Sequence, residues 1–158
     1  MHPNAELIQR FYQAFNGRDA AGMAACYTPD VVFEDPGFGE LRGDEAIGMW
    51  RMLTSKAQDL QVTASDIVAD DSTGSAHWEA IYTFSQTGRR VHNVIDATFR
   101  FRDGRICEHR DHFDFWRWSR QALGAPGLLL GWSGFLHNKV QTKALGNLKR
   151  YLESMPRA

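Results

Sequence analysis

The feature that most constrains the fold is a change in hydrophobic periodicity near residue 60. Before it, apolar residues recur at intervals of three and four, a spacing typical of helices. After it, four segments alternate apolar and polar residues, and the short sequences DSTG, TGRR and DGR separate them. Such alternation, interrupted by hairpin turns, predicts four consecutive antiparallel strands. The chain is therefore expected to form helices first and a β-meander second.

Three helices are expected before the change in period. Their segments are NAELIQRFYQAFNGRD, AAGMAACY and EAIGMWRMLTSKA, and we expect Asp19 and Asp44 to cap the second and the third. An aspartate at such a position accepts a hydrogen bond from a free amide of the first turn. Between these two helices, VVFED is predicted to be a short strand that ends at Pro36, and GFGELRG is expected to be a loop.

Helices followed by a meander predict an α+β fold in which the N-terminal helices pack on one face of a curved antiparallel sheet. A sheet that curls around a helix forms a cone-shaped roll, and its open end is a common ligand site. The 158 residues are enough for one domain. We expect the cone over residues 1–118 and a helical extension of the same domain over residues 119–158, with a last helix near Lys139 to Leu152.

Composition and charge exclude several classes of function. The net charge is −1, which gives no electrostatic basis for binding nucleic acid or an anionic membrane. Cys26 and Cys107 form no CxxC pair, and we expect both to be small buried residues. We expect no signal peptide at the start, and the apolar run GLLLGWSGFL is too short to span a bilayer. The expectation is a cytoplasmic protein that binds neither nucleic acid nor membrane.

The last predicted strand carries the densest group of titratable and aromatic residues, EHRDHFDFW. Alternate residues of a strand share a face, so the group separates into two lines. One line is His109, Asp111, Phe113 and Phe115, and the other is Arg110, His112, Asp114 and Trp116. A metal centre needs three or more ligands on one side, so we expect no metal. No glycine-rich phosphate loop follows a strand, and we expect no cofactor.

Five segments, spread over roughly residues 5–118, carry a resemblance to a known family. They are LIQRFYQAFNGRD, CYTPDVVFEDP, GDEAI, TFSQTGR and FRFRDGRICEHRDHFD. In their order and spacing they resemble the nuclear transport factor 2-like superfamily, in its SnoaL-like and ketosteroid isomerase-like branch. The resemblance implies a cone-shaped α+β fold, a pocket inside the cone and a homodimer packed through the outer sheet. It also implies that His109, Asp111 and Phe113 lie inside the cone.

The similarity to ketosteroid isomerases identifies one candidate residue. The general base of those enzymes is an aspartate in a VEDP-like segment, which matches Asp35 in FEDP. Their oxyanion hole uses a tyrosine and a protonated aspartate, and these positions hold Phe11 and Ala97 here. Each missing donor removes on the order of 3 kcal/mol of transition-state stabilisation. The resemblance therefore does not extend to ketosteroid isomerisation by that mechanism.

The similarity to limonene epoxide hydrolases identifies Asp111. The last strand of those enzymes carries WRDYFD, whose first aspartate helps to activate water, and HRDHFD matches it here. Their Arg-x-Asp pair on a neighbouring strand corresponds to Trp78 and Ala80, so that triad is incomplete. SnoaL-like polyketide cyclases also use an aspartate of a late strand as acid and base, and Asp111 is compatible with that role.

The candidate catalytic residues are Asp111, His109 and Asp35. His109 and Asp111 lie two apart on one strand face, where they either form an acid/base pair or satisfy each other as a buried pair. Asp35 is either a second carboxylate at the mouth or an acceptor for the amides of its own turn. The expected pocket-lining residues are Tyr27, Trp50, Trp78, Tyr82, Phe84, Asn93, Phe99 and Phe113.

Two functions are compatible with these residues. The first is an enzyme of the isomerase, cyclase or hydrolase type, acting on an apolar carbonyl or epoxide substrate. The alternative is a non-catalytic module that binds an apolar ligand or dimerises, which the missing family partners favour.

In the tail, five residues are too apolar to extend into water. We expect them to cap the cone mouth, with a contact to a partner subunit as the alternative: Leu128, Leu129, Leu130, Trp132 and Phe135.

Overall fold

The computed structural model describes residues 1–155, with helices at both ends of the sequence and strands in the middle. Within these residues the helices are α1 Pro3–Asn16, α2 Ala20–Ala25, α3 Asp44–Lys56, α4 Phe115–Leu123, α5 Ala125–Leu130 and α6 Gly134–Ser154. The strands are β1 Tyr27–Asp35, β2 Gly39–Arg42, β3 Gln61–Ala69, β4 Thr73–Phe84, β5 Arg89–Arg102 and β6 Arg105–His112. The predicted α+β fold with a C-terminal helical extension is confirmed. Helix α4 includes residue 118, where the cone was expected to end and the extension to begin.

The strands form one six-stranded sheet in the order β2-β1-β6-β5-β4-β3. The predicted meander is confirmed, because β3 to β6 are antiparallel neighbours in chain order. The expectation of a wholly antiparallel sheet is wrong, because β1 pairs in parallel with β6. No hairpin joins β1 to β6, so their relative direction is free to be parallel. This pairing places Phe33 beside His109 at the centre of the sheet.

The segment GFGELRG, expected to be a loop, contains strand β2. It pairs antiparallel with the end of β1, Phe33 opposite Leu41. Leu41 is almost wholly buried. A short edge strand with one apolar residue facing inward has too little alternation to be recognised from sequence alone.

Local signals for turns and helix ends agree with the structure in most places. Asp103 and Gly104 both have positive φ, 54° and 76°, as a two-residue hairpin between β5 and β6 requires. Asp19 caps α2 by accepting a hydrogen bond from the Gly22 amide at 2.9 Å. The predicted Asp44 cap is wrong: Gly43 precedes α3 without a side-chain hydrogen bond, and Asp44 is the first helical residue.

The last strand is shorter than predicted. β6 ends at His112, and Asp114 caps α4 by accepting from the Arg117 amide at 3.1 Å. Phe113 and Phe115 are therefore not the continuation of an inner strand line. The capping hydrogen bond offered by Asp114 begins a helix before the alternation of side chains has ended.

The helices α1 and α3 cover the concave face of the sheet, and their apolar sides form the main core with it. Helix α6 packs across α3 at Gly48, where an added Cβ would lie 2.3 Å from Leu152 Cδ2. Leu148 of α6 is buried in the same core. The expected final helix, Lys139 to Leu152, lies within this longer α6.

The expectation that five apolar tail residues cap the cone mouth is wrong for all five. Their exposed fractions range from 44% to 73%, and we call them the α5 cluster: Leu128, Leu129, Leu130, Trp132 and Phe135. The cone mouth is covered instead by α6, from Leu136 onward. Helix α5 is only six residues long and has a glycine at each end. It packs beside α4, and this position directs the α5 side chains away from the mouth. None of the helices in residues 1–155 is long and apolar enough to cross a membrane.

Candidate active site

A cavity of about 430 Å³ lies between the concave face of the sheet and helices α3, α4 and α6. Its volume is in the range of pockets that enclose small molecules. Six of the expected lining residues border it: Trp50, Trp78, Tyr82, Phe84, Asn93 and Phe113. Both candidate aspartates, Asp35 and Asp111, also border it. The structure therefore brings the two carboxyl groups into one largely apolar space.

Three residues expected at the site lie behind the cavity wall. Tyr27 and Phe99, expected to line the pocket, are buried in the core and contact His109. Tyr27 begins β1, and Phe99 pairs with His109 across β5 and β6, so both sit one layer deeper in the cone. His109 itself is fully buried and does not border the cavity. It contacts Asp111 and would act on a ligand only through that residue.

Asp111 receives two hydrogen bonds on the same carboxylate oxygen. Its Oδ1 accepts from Trp78 Nε1–H at 3.2 Å and is 2.8 Å from His109 Nε2. Within residues 1–155, Oδ2 has no hydrogen-bond partner, although only 4% of Asp111 is exposed. Two N–H donors on one oxygen fix the orientation of the carboxyl group. The second oxygen is then available to a ligand in the cavity.

A chain of buried hydrogen bonds extends behind Asp111. Trp50 Nε1 donates to the Tyr27 hydroxyl at 2.9 Å, and that hydroxyl lies 2.8 Å from His109 Nδ1. An indole N–H can only donate, so the Tyr27 proton is directed to His109 Nδ1. With Nδ1 accepting from Tyr27, His109 donates from Nε2–H to Asp111 Oδ1. All protons in the chain point towards the carboxylate.

Burial keeps Tyr27 in the form that this chain requires. Removal from water raises the pKa of the Tyr27 hydroxyl well above its usual value, and the nearby Asp111 charge acts in the same direction. The hydrogen bond from Trp50 opposes this shift without reversing it. Tyr27 therefore stays protonated and continues to donate to His109.

Aromatic rings hold the His109 imidazole in place. The rings of Phe99 and Phe33 have centroids 4.5 Å and 5.1 Å from it, and the Trp50 ring is stacked on it at 6.2 Å. Phe11, at the position of the isomerase tyrosine, contacts the imidazole edge-on at 5.5 Å. An imidazole enclosed in this way has one orientation, which fixes the direction of its Nε2–H bond.

Asp35 has a different environment from Asp111. It ends β1, and its Oδ1 accepts a hydrogen bond from the Phe38 amide at 2.6 Å. Loss of water around the carboxyl group, with a smaller contribution from the Asp111 charge, raises the pKa of Asp35 to about 7, although the amide hydrogen bonds of its turn oppose the shift. Near neutral pH this carboxyl group can therefore give a proton.

The role of Trp78 could not be recognised from its position in the sequence. It was expected only to line the pocket, but its indole is also a donor to Asp111. The signal was weak: a buried tryptophan usually finds a hydrogen-bond partner, but sequence does not say which one.

The remaining polar groups near the site add few further candidates. Tyr12 is buried beside Trp78, and its hydroxyl has no hydrogen-bond partner in the described part of the chain. On the outer face, Arg110 pairs with Glu34 at 3.1 Å and His112 is exposed, away from the cavity. Among residues 1–155, no three His, Cys, Asp or Glu side chains are grouped so that they could hold a metal ion.

Comparisons with known proteins agree with this architecture. A family model described as the SnoaL-like domain matches residues 8–109. No curated protein is significantly similar to the chain. An NTF2-like protein of unknown function from Burkholderia pseudomallei K96243 is 25% identical, with a TM-score of 0.64 over 72% of this chain and 92% of that one.

Two further solved structures are similar over most of the chain. IdmH, a candidate polyketide cyclase from Streptomyces antibioticus, is 26% identical, with a TM-score of 0.65 over 78% of this chain and 100% of that one. An LEH-like epoxide hydrolase from M. tuberculosis is 23% identical, with a TM-score of 0.65 over 80% and 92% of the two chains, and it shares the fold. Because the family model covers more than half of the chain, the protein belongs to the SnoaL-like domain family of the nuclear transport factor 2-like superfamily.

Proposed function

We propose that the protein is a small-molecule enzyme that uses general acid/base catalysis in the cone cavity. One observation carries the proposal: two carboxyl groups with different surroundings border the same apolar cavity. Asp111 Oδ1 accepts two N–H hydrogen bonds, which leaves Oδ2 to face a ligand, whereas loss of water favours the protonated form of Asp35. A carboxylate oxygen that can accept a proton and a carboxyl group that can give one are suited to act as base and acid together. His109 serves as a positioning residue for Asp111.

The reaction class that fits this pair is enolisation of an apolar carbonyl compound. Asp111 Oδ2 takes a proton from the carbon beside the carbonyl, and the electrons of that C–H bond form the C=C bond of an enol. The carbonyl oxygen takes the proton of Asp35. In the second half of the reaction the enol O–H gives its proton back to Asp35. Asp111 gives its proton to another carbon in an isomerisation, or to the oxygen of a second carbonyl that the enol carbon attacks in a cyclisation. Both carboxyl groups then return to their starting forms.

An epoxide is a second substrate class for the same two groups. Asp35 would protonate the ring oxygen, and Asp111 would take a proton from the attacking water. The donor that Trp78 provides to Asp111 supports this version, since limonene epoxide hydrolases have an arginine at the matching position. The similarity to IdmH, a candidate polyketide cyclase, supports the carbonyl version.

Hydrogen exchange at carbon tests the proposal without knowledge of the natural substrate. A panel of apolar cyclic ketones, such as 2-decalone, is incubated with the protein in D₂O, and deuterium uptake is followed by mass spectrometry. We expect catalysed exchange that Asp111→Asn lowers at least 10²-fold, the usual effect of removing a general base. Asparagine can still accept both hydrogen bonds, so the fold should be retained.

Two results would contradict the proposal. Asp96→Asn removes an exposed carboxylate from the outer face and should leave exchange unchanged, which makes it the matched control. Equal exchange by the protein and Asp111→Asn would remove Asp111 from the role of base. Absence of exchange across the panel, together with ligand binding in the cavity, would favour the alternative function, a non-catalytic binding module.

We also propose that the protein forms a homodimer in the cytoplasm. The family resemblance implies a dimer, and the exposed α5 cluster is an apolar surface of the kind that subunits cover. The apolar composition of the α5 cluster suggested two roles, a cap over the cavity or a contact with a partner subunit. Because the α5 cluster does not cap the cavity, we assign it to the contact with a partner subunit.

A further inference from the structure

The mouth of the cavity carries three lysines. Lys56 ends α3, and Lys139 and Lys143 lie one turn apart on α6, where each side chain borders the cavity and is exposed. Residues three or four apart on a helix lie on the same side of it. The two helices therefore bring three ammonium groups to the rim of one opening.

These ammonium groups are not neutralised by neighbouring acids. Within residues 1–155, none of the three forms an ion pair or a side-chain hydrogen bond. The acidic residues that border the cavity are Asp35 and Asp111, and both are on the sheet side. The other polar residues of the wall are uncharged, namely Thr83, Ser85, Gln86, Asn93 and Asn147. The rim is consequently a positive edge around an apolar interior.

A positive rim on an apolar cavity selects a particular kind of ligand. An apolar body gains free energy by leaving water for the aromatic wall formed by Trp50 and Trp78. A negative group on the same ligand would remain at the mouth, close to the lysines and to solvent, where it is not forced to lose its hydration. Three cations near one opening also raise the local concentration of anions.

We propose that the ligand of this cavity is an amphiphilic organic anion, with an apolar body inside and a carboxylate held at the rim by Lys56, Lys139 and Lys143. The inference rests on the proposed function for the site and names the substrate class. The lysines would orient the ligand, with its anionic end facing α6 and its apolar end facing the sheet, where Asp111 lies. The reacting carbon is therefore remote from the carboxylate.

A matched pair of fluorescent probes tests the inference. 8-Anilinonaphthalene-1-sulfonate and N-phenyl-1-naphthylamine share an apolar body, and only the first carries an anionic oxygen group, which stands in for the carboxylate. Dissociation constants of both are measured for the protein and for the Lys139→Gln, Lys143→Gln double variant. We expect the anionic probe to bind about fivefold more weakly to the variant, and the neutral probe to change less than twofold.

Two controls assign the effect to the rim and to the cavity. Lys149→Gln removes an exposed lysine of α6 that does not border this cavity and should change neither constant. Ala80→Phe places a ring in the cavity from β4 and should abolish specific binding of both probes. Equal weakening of both probes by the double variant would overturn the inference, and so would anionic-probe binding that survives Ala80→Phe.

The proposed function can fail separately from this inference. Asp111→Asn should keep the difference between the two probes, because it leaves the rim unchanged. Loss of hydrogen exchange with the probe difference intact supports both proposals. A protein that exchanges no ketone hydrogen but still distinguishes the probes through its lysines is an anion-binding module without the proposed catalysis.

Discussion

At the scale of single residues, the site depends on how the protein treats two aspartates differently. Asp111 is buried and accepts hydrogen bonds from two donors, whereas Asp35 is half-buried and, within residues 1–155, accepts hydrogen bonds from its own turn. A buried carboxylate without a cationic partner is costly to ionise. The protein therefore gives up stability at neutral pH to keep Asp35 as an acid.

This cost predicts a pH-dependent gain of stability in Asp35→Asn. The pKa of Asp35 is about 7 in the folded protein and 3.8 for an ordinary aspartate. Between these values the folded state keeps a proton that the unfolded state has lost, so the free energy of unfolding decreases as pH rises from about 4 to 7. Asparagine cannot ionise, and we expect the variant to gain up to about 4 kcal/mol over the natural protein across this window.

Urea unfolding at pH 5 and pH 8 measures the difference. Asp44→Asn, at an exposed position of α3, is the control and should not show a gain that increases with pH. If Asp35→Asn gains the same amount at both pH values, the raised pKa of Asp35 is refuted.

Trp78 provides a second prediction at this scale, for a residue that positions the base. Trp78→Phe keeps most of the aromatic volume and removes one donor from Asp111 Oδ1. Since that donor fixes the orientation of the carboxylate, kcat for hydrogen exchange should fall about tenfold while KM changes less than twofold. Trp118→Phe is the matched control, because Trp118 also borders the cavity but donates to Tyr82. An unchanged kcat in Trp78→Phe would remove the positioning role.

At the scale of elements, α6 decides whether the site is closed. It contacts α3, carries two of the three rim lysines and borders the cavity with Leu136 and Val140. Leu136 and Leu148 are the two fully buried side chains of this 21-residue helix, and its other apolar contacts, such as that of Leu152, are half-exposed. A helix attached mainly through half-exposed contacts can separate from the cone without unfolding the sheet.

Truncating one of these contacts should loosen α6 alone. Leu148→Ala removes a buried side chain, a change that usually costs about 2–5 kcal/mol in a well-packed core. We expect faster amide hydrogen exchange throughout α6, unchanged exchange in β4 and β5, and weaker binding of both fluorescent probes. Leu145→Ala, at a partly exposed position of the same helix, should have little effect. Uniform loss of protection in helix and sheet would show that α6 is not a separate unit.

At the scale of the whole molecule, the two faces of the sheet have opposite chemistry. The inner face is apolar around one buried hydrogen-bond chain. The outer face carries a row of alternating histidines and carboxylates, in which His77 bonds Asp96 at 3.0 Å and Glu79 at 3.1 Å, and Glu79 bonds His92 at 2.7 Å. These bonds raise the pKa of His77, Asp96 contributing most. These histidines and carboxylates of β4 and β5 therefore point away from the cavity.

The proposed homodimer predicts a solution mass of twice 17.9 kDa. Light scattering after size-exclusion chromatography measures it directly. We expect the Trp132→Ser, Phe135→Ser double variant to shift the mass towards 17.9 kDa, because both side chains are more than 70% exposed in the single chain and lose apolar burial in the dimer. A stable dimer in the double variant would place the contact elsewhere, and a monomeric natural protein would refute the proposal.

Local features of the sequence were sufficient for the family and for the order of most elements, with β2 as the exception. The Asp103–Gly104 turn, the Asp19 cap and the alternation along β4 to β6 each depend on residues within a few positions of one another. Alternation along β6 alone also predicts that Asp111 and His112 lie on opposite faces of the sheet. What these signals predict is which side of an element a residue occupies.

The tertiary structure decided which of these sides meet. Tyr27 reaches His109 across 82 positions because β1 joins the sheet beside β6, and Trp78 reaches Asp111 across 33 positions through the register of β4, β5 and β6. The rim lysines come together only because α6 crosses α3. Strand order, register and helix crossing result from packing of the whole core, so no local pattern of residues contains them.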